Sequence, residues 1–339
     1  MALRFFGGLL LVLGLAVYTG AGANQDTGEP MLLAAAETTD LTSTGTPSYH
    51  LHAHFKFLVE RDNQPANGEL KISFVSPSRW REEISWAGAT TIEGIADDRS
   101  WSKDADARRL DVLRLDRVLD FSKLLLPVPG GRVSKPREKQ LDGKTAECLK
   151  STTNGSVPLE VCLDSVSRLP VTVKDHDLNV KLDFGASPYF SLGTRRFPNS
   201  IRYGENDRVI LEMDIDSLEV IESPSQESFA PPSAAQSVPW CPHERTPVPL
   251  NFSNTGTSQL QLPGLPPLTI IDLPIADFPL LVFDVGSDGR VKDLKAYDKR
   301  GSIHVQDSAI VKLRDSSFRP AMCKGQAVEG EFIIWTSHR

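Results

Sequence analysis

Three histidines alternate in the run His50-Leu-His52-Ala-His54. On a β-strand they would project from one face at intervals of about 6–7 Å. Imidazoles sharing a face can bind zinc. Nothing in the neighbouring sequence completes a coordination set, so a carboxylate from a distant segment would be needed. The plainer reading is a polar, solvated strand face. Asp26-Thr27-Gly28 has the letters of an aspartic-protease motif, but it occurs once, in a stretch without patterning. Asp284 and Asp288 flank a glycine-containing turn and read as turn formers rather than calcium ligands. The chain has no Gly-x-Ser-x-Gly, no His-Glu-x-x-His and no phosphate-binding glycine loop. No residue is assigned a catalytic role and no cofactor is implied. A secreted metal-dependent enzyme using His50, His52 and His54 is the alternative to a non-catalytic protein.

Thiol chemistry points to structure rather than catalysis. Cys148 and Cys162 lie symmetrically about Asn154-Gly155, a strong hairpin turn signal. Their flanks, Lys144 to Thr152 and Val157 to Leu163, read as strands, so the two sulfurs would face each other across the pair. Cys241 and Cys323 then remain to pair with one another. No Cys-x-x-Cys occurs, which argues against a redox centre.

Such bridges require an oxidising compartment, and the first residues supply one. Arg4 precedes an apolar run from Phe5 to Thr19, and Ala21-Gly22-Ala23 offers the small residues of a cleavage site. The run is shorter than the roughly 20 residues that span a bilayer. It reads as an export signal over residues 1–23, with an uncleaved anchor as the other possibility. The expected location is the periplasm of a bacterial envelope or the medium, with only transient membrane contact. A net charge of −7 over 339 residues and 7% aromatic residues argue against nucleic acid as a partner.

The elements that must position these residues follow from periodicity. Asn24 to Ser48 lacks a clear period and is expected to be a flexible leader. From Tyr49 to Glu222 alternation of period two dominates. Leu51, Ala53, Phe55, Phe57 and Val59 share one face. Trp80, Glu82, Ile84 and Trp86 share another, with Arg79 and Arg81 opposite. Arg108 to Leu126 is the best helix, with Leu110, Leu113, Val118, Phe121 and Leu125 at roughly helical spacing. Ser223 to Pro267 contains ten of the 24 prolines and is expected to be an extended linker. Patterning resumes from 268 to 339, where Val305 to Ser317 fits a helix. The fold class is therefore α+β: a large curved antiparallel half-barrel over 49–222 with one covering helix, then a linker, then a small α+β unit.

Several runs carry a family resemblance. Asn67-Gly-Glu-Leu70, Val75-Ser-Pro-Ser-Arg79-Trp-Arg81-Glu-Glu-Ile84 and Ala96-Asp-Asp-Arg-Ser-Trp101 resemble the opening of LolA/LolB-type lipoprotein carriers. Glu160 to Asp164, Leu169-Pro170 and Asn206-Asp-Arg-Val209 fit its completing strands. The resemblance implies an unclosed barrel that holds acyl chains or lipoproteins, with Arg79 or Arg81 matching the family's strand arginine. Its cavity candidates are Phe55, Phe57, Arg79, Trp80, Arg81, Ile84, Trp86 and Trp101. The same tryptophans fit equally well as ordinary core aromatics. Towards the C-terminus, Ser287-Asp-Gly-Arg-Val291, Ala309, Phe318-Arg-Pro-Ala321 and Gly325-Gln-Ala-Val328 resemble a TonB C-terminal domain. That likeness implies a sheet edge that accepts a strand from an envelope or outer-membrane protein. The Tyr-Pro pair that opens that family's domain is missing between Leu268 and Pro274, so binding rather than energy transduction is the expectation.

Overall fold

A computed structural model describes residues 28–58, 66–97, 99–104, 109–127, 131–152, 159–176, 179–185, 188–225, 227–239, 247–251, 257–260, 268–271, 280–298, 301–303 and 314–335. Its first element is a helix, α1 (Glu29–Thr39), followed by five meandering strands: β1 (Tyr49–Phe57), β2 (Ala66–Ser76), β3 (Arg79–Trp86), β4 (Ala89–Ala96) and β5 (Arg99–Lys103). Helices α2 (Arg109–Leu119) and α3 (Phe121–Leu124) come next. Strands β6 (Arg132–Val133), β7 (Arg137–Leu141), β8 (Lys144–Thr152), β9 (Leu159–Asp164), β10 (Pro170–Asp175) and β11 (Val180–Asp183) continue the sheet. After a separate hairpin of β12 (Tyr189–Leu192) and β13 (Arg195–Pro198), β14 (Ser200–Glu205) and β15 (Arg208–Val220) close the element order of this region.

These strands form one antiparallel sheet in the order β16-β5-β4-β3-β2-β1-β15-β14-β11-β10-β9-β8-β6, with β7 also on β8 and β16 spanning Gln236–Pro239. Among the described residues its two end regions do not pair with each other, so it is an open half-barrel. The inner face is apolar because the period-two residues stay in phase from strand to strand. Leu51 stands opposite Ile72 and Leu218, and Phe55 opposite Gly68 and Met213. Gly68 is required there: a Cβ would lie 2.1 Å from the Phe55 ring, which crosses the glycine to meet Trp86 edge-on at 6.4 Å.

The segment expected to be a flexible leader is ordered helix over Glu29–Thr39, correcting that reading. Leu32, Ala35 and Ala36 form an i, i+3, i+4 stripe and are buried in the main core. Small alanines let α1 pack closely against α3 and β13. Its entry is pinned where the Gly28 N–H donates to the Ser134 carbonyl at 3.1 Å, and a Cβ on Gly28 would collide with Leu149. Its exit is fixed by Asp40, whose carboxylate accepts from the Thr42 N–H and hydroxyl, both at 2.8 Å.

The expected helix over Arg108–Leu126 is two helices. Asp120 breaks the run, and Val112, Leu115, Val118, Phe121 and Leu125 still form one buried line on the inner face. The expected linker is also corrected in part. Phe229, in a 3-10 turn at Glu227–Phe229, is 1% exposed, and Gln236–Pro239 pairs with β5 as an edge strand. Pro239 is tolerated because an edge strand has one side free of ladder hydrogen bonds.

In the C-terminal part, β17 (Val248–Asn251) pairs with β23 (Ser317–Arg319), so this unit begins inside the stretch assigned to the linker. A hairpin joins β18 (Thr257–Leu260) to β19 (Leu268–Ile271). Strands β20 (Leu280–Val285), β21 (Val291–Asp298), β22 (Gly301–Ile303) and β26 (Gly330–Trp335) form a sheet in the order β22-β21-β20-β26, and β24 (Ala321–Cys323) pairs with β25 (Gln326–Val328). Most of the expected helix Val305–Ser317 lies outside the described residues. Its end does not hold, since Arg314 and Asp315 form a turn and Ser317 opens β23.

Cys148 and Cys162 stand directly opposite on β8 and β9 and are disulfide-bonded, as expected. Leu149 and Val161 beside them point to the core, so the bridge sits on the outer face with Ala146 and Leu141. Asn154 and Gly155 lie outside the described residues, as does Cys241. Cys323 is itself disulfide-bonded. Replacing Cys148 and Cys162 together by alanine is expected to remove about 3 kcal/mol of stability, by the loop-closure entropy of a span this short. Urea unfolding of the oxidised double variant beside the parent measures it.

Candidate functional site

The inner face and the helices over it form the first candidate site. Trp80, Glu82, Ile84 and Trp86 of β3 face inward, in register with Phe74, Ile72, Leu70 and Gly68 of β2. With Phe55 and Phe57 they make the aromatic wall that the sequence predicts. Phe55, Phe57, Ile84 and Trp86 are buried, while Trp80 is partly exposed and packs at the margin of the core.

The remaining cavity candidates face the other way. Arg79 and Arg81 alternate with Trp80 and therefore project outward. Trp101 stands opposite Gly94, whose neighbours Glu93 and Ile95 pair with the inward Glu82 and Trp80. Arg81 lies over the Trp101 ring at 6.0 Å, and Arg79 over Phe229 at 4.8 Å. These three residues fasten the returning Phe229 segment and the β5 edge to the outside of the sheet. They are not part of the inner wall.

Helix α2 is held to that wall by a buried ion pair. Arg114 donates to Glu205 of β14 through Nε at 2.9 Å and Nη2 at 2.7 Å, and through Nη1 to Asp111 at 3.4 Å. The Tyr203 hydroxyl donates to the same Glu205 at 2.8 Å. Burial alone would raise the Glu205 carboxyl, but Arg114 and Tyr203 outweigh it and hold the group below the ordinary carboxylate range. Burial likewise opposes the charge on Arg114, yet pairing with Glu205 and Asp111 leaves its pKa above the usual value. Tyr203 is raised by burial and by Glu205, so it stays a hydroxyl donor. The sequence shows none of this, since Arg114 and Glu205 are 91 residues apart.

Glu82 is the opposite case. It sits inward among apolar groups at 8% exposure. Burial, then the charges of Asp116, Glu93 and Asp120, raise its carboxyl well above the ordinary range. Glu93 stands directly across from it on β4, and Asp116 and Asp120 come from the helical segment above. A carboxyl whose ionisation is disfavoured therefore lies under the cover of the inner face.

The outer face of β1 carries the histidines, and they do not act as one set of three. His50 Nδ1 pairs with the Ser73 hydroxyl at 2.9 Å. His52 and His54 turn to each other, with ring centroids 5.0 Å apart. His52 Nε2 lies 2.6 Å from Glu69 Oε1, and Asp216 Oδ2 lies 2.5 Å from His54 Nδ1 and 3.3 Å from His52 Nδ1. Glu69 is held below its ordinary value by its hydrogen bonds to His52 and Lys71. The sequence predicts the shared face, and the structure adds the two carboxylates.

Two tests follow. Arg114→Met is expected to cost about 2–3 kcal/mol, because it strands a partly buried carboxylate, and Arg114→Met with Glu205→Gln to recover part of that loss. Denaturant titrations of Arg114→Met, Glu205→Gln and the double variant measure the coupling. The two carboxyls have opposite pH signatures. The lowered Glu205 contributes stability above the ordinary carboxylate range and loses it as pH falls through its folded value. The raised Glu82 costs stability as pH climbs from the ordinary carboxylate range to its folded value. Thermal melts against pH are expected to show a shallower decline above the ordinary carboxylate range for Glu82→Gln than for the parent.

No family model matches the chain, and no curated protein matches it. Among solved structures it is similar to a DUF1329 family protein from Desulfovibrio piger, at 13% identity over 60% of this chain and 95% of that one, with a TM-score of 0.39. A LolA superfamily protein from Nitrosomonas europaea is similar at 9% identity over 60% and 98%, with a TM-score of 0.38. The complex of MucA and MucB from Pseudomonas aeruginosa is similar at 15% identity over 85% and 89%, with a TM-score of 0.28. Nothing in these comparisons shows a TonB C-terminal domain.

Proposed function

We infer that this chain is a non-catalytic binding protein of the bacterial envelope, which holds an apolar chain, the acyl part of a lipid or lipoprotein, between its half-barrel and helices α1–α3. One observation carries the reading. The inner face is apolar from β3 through β1 and β15 to β8, and short helical segments cover it rather than a second sheet. Helices fastened at a few points can swing aside without breaking the β-ladder, whereas a second sheet cannot. The apolar face is turned to the molecule's own interior, where α1–α3 cover it, and no helix among the described residues is long and apolar enough to cross a membrane.

The C-terminal sheet gives the cover an outer support. Leu113 of α2 packs against Val282 and Tyr297 of that sheet, together with Ile333. Helix α2 thus has Val112, Leu115 and Val118 against the half-barrel and Leu113 against β20 and β21. A partner that added a strand to an edge of the C-terminal sheet, at β22 or β26, would bear on the same contact. In this reading the second unit docks another envelope protein and transmits that docking to the cover. Energy transduction is not part of the proposal.

Native mass spectrometry of protein purified without denaturation from a bacterial periplasm is expected to reveal one lipid-sized adduct per chain. The stripped protein should take up a fluorescent fatty acid. Trp80→Glu, at the partly exposed margin of the wall, should weaken uptake about tenfold or more, a loss of roughly 1.4 kcal/mol. Leu113→Glu should speed uptake by loosening α2 from outside. Absence of both adduct and uptake from correctly folded protein would overturn the reading.

A further inference from the structure

We propose that the outer face of the half-barrel carries a site for a single transition-metal dication of the zinc type, bound by His52, His54 and Glu69 and buttressed by Asp216. The site is on the opposite side of the sheet from the apolar wall and stands independently of the acyl-binding reading.

Three strands converge to build it. Alternation on β1 sends His52 and His54 outward on either side of the inward Ala53. Glu69 of β2 stands directly opposite His54. On β15 the register slips between the pairs His52–Ser217 and Ala53–Ile215, leaving Asp216 as the extra residue of a β-bulge. Without that bulge, alternation would not place both Ser217 and Asp216 outward while keeping Ile215 inward. The bulge therefore inserts a carboxylate beside both imidazoles, and its place next to a histidine pair is the second feature that points to a ligand.

The donor atoms divide into two shells. One ligand atom from each of His52, His54 and Glu69 lies within 4.8 Å of the others, close enough for small side-chain movements to bring all three onto one ion. Asp216 Oδ2 is beside Nδ1 of both rings, and an ionised carboxylate only accepts hydrogen bonds, so it favours a proton on each Nδ1. That tautomer leaves Nε2 of each ring as the lone-pair nitrogen. This is the carboxylate–histidine arrangement by which metal-binding imidazoles are oriented. Lys71 Nζ occupies Glu69 Oε2 at 3.1 Å, leaving Oε1 turned to His52 Nε2, where it lies at 2.6 Å. A metal ion bound at Nε2 would take the place of that contact.

Two imidazoles and one carboxylate suit zinc, cobalt, nickel or copper. Calcium and magnesium demand more oxygen ligands. A three-residue set leaves a further coordination position for water. Because the ligands come from adjacent β1 and β2, with the bulged β15 behind them, the ion would staple the middle of the sheet. His50, although part of the same alternating run, is engaged with Ser73 and lies outside the set.

The test uses the full chain, stripped with a chelator and titrated with zinc chloride against a competing metal indicator at neutral pH. One zinc per chain is expected, with neither calcium nor magnesium competing in large excess. His52→Ala and His54→Ala should each abolish stoichiometric binding, and Asp216→Asn should weaken it about 10- to 100-fold. His50→Ala should leave it unchanged. Cobalt(II) should give the intense visible bands of a low-coordinate site in the parent and lose them in His54→Ala. Circular dichroism confirms that each variant is folded, and His54→Gln replaces His54→Ala if that variant is not. Failure of the parent to bind zinc stoichiometrically, or binding that survives both histidine substitutions, would overturn the proposal. Equal loss on His50→Ala would overturn this ligand set.

Discussion

A broad antiparallel sheet with one apolar face cannot stay open to water, and the architecture of this chain answers that constraint. Antiparallel strands pair through short turns, so the sheet grows easily, but each added strand also adds apolar surface on the same side. Here α1 from the N-terminal stretch and α2–α3 from the β5–β6 connection converge on that side. Phe121 illustrates the convergence: its ring packs 4.6 Å from Phe184 and 5.7 Å from Phe197, which arrive from far along the chain. The outer face, freed from any covering duty, carries the histidines, the disulfide and the arginine–aromatic contacts.

The cover combines unlike forces. Apolar contacts along α2 and α3 are non-directional and give little preference for one helix position over its neighbours. The bidentate pairing of Arg114 with Glu205 sets that position, because a planar guanidinium meets a carboxylate in one geometry. Glu82 works in the other sense. Burial and the charges of Asp116, Glu93 and Asp120 raise its carboxyl, so ionising it weighs against the closed arrangement. Fixing and loosening groups thus sit under the same helices, as a cover that must both hold and release would require.

Much of the half-barrel is legible in the residues themselves. Period-two runs fix the faces of β1 and β3, the spacing about Asn154-Gly155 points to the Cys148–Cys162 pairing, and Val118, Phe121 and Leu125 mark the covering helices, although Leu113, read on the same face, turns to the C-terminal sheet while Val112 and Leu115 take the inner side. What escapes local reading has a common cause. Helix α1 is built from Leu and Ala with little contrast between its faces, so its burial is decided by tertiary packing rather than by pattern. Strand β16 ends in a proline, which signals linker locally but is compatible with a sheet edge. Alternation along β3 already sets Arg79 and Arg81 opposite the aromatic wall, whereas Trp101 lies on another strand and only register across β4 assigns it to their face. The partners of the histidines depend on pairing across three strands and on a bulge at Asp216, neither of which leaves a local trace.

A movable cover of α1–α3 over an acyl-binding face would leave a specific pattern of backbone exposure. Hydrogen–deuterium exchange of the stripped protein, with and without a soluble lysophospholipid, tests it most directly. The amides of α2 and α3 are expected to change protection on adding the lipid, while β1, β2 and β15 keep theirs. Unchanged exchange throughout the helices at saturating lipid, or loss of protection spread across the central strands, would contradict it.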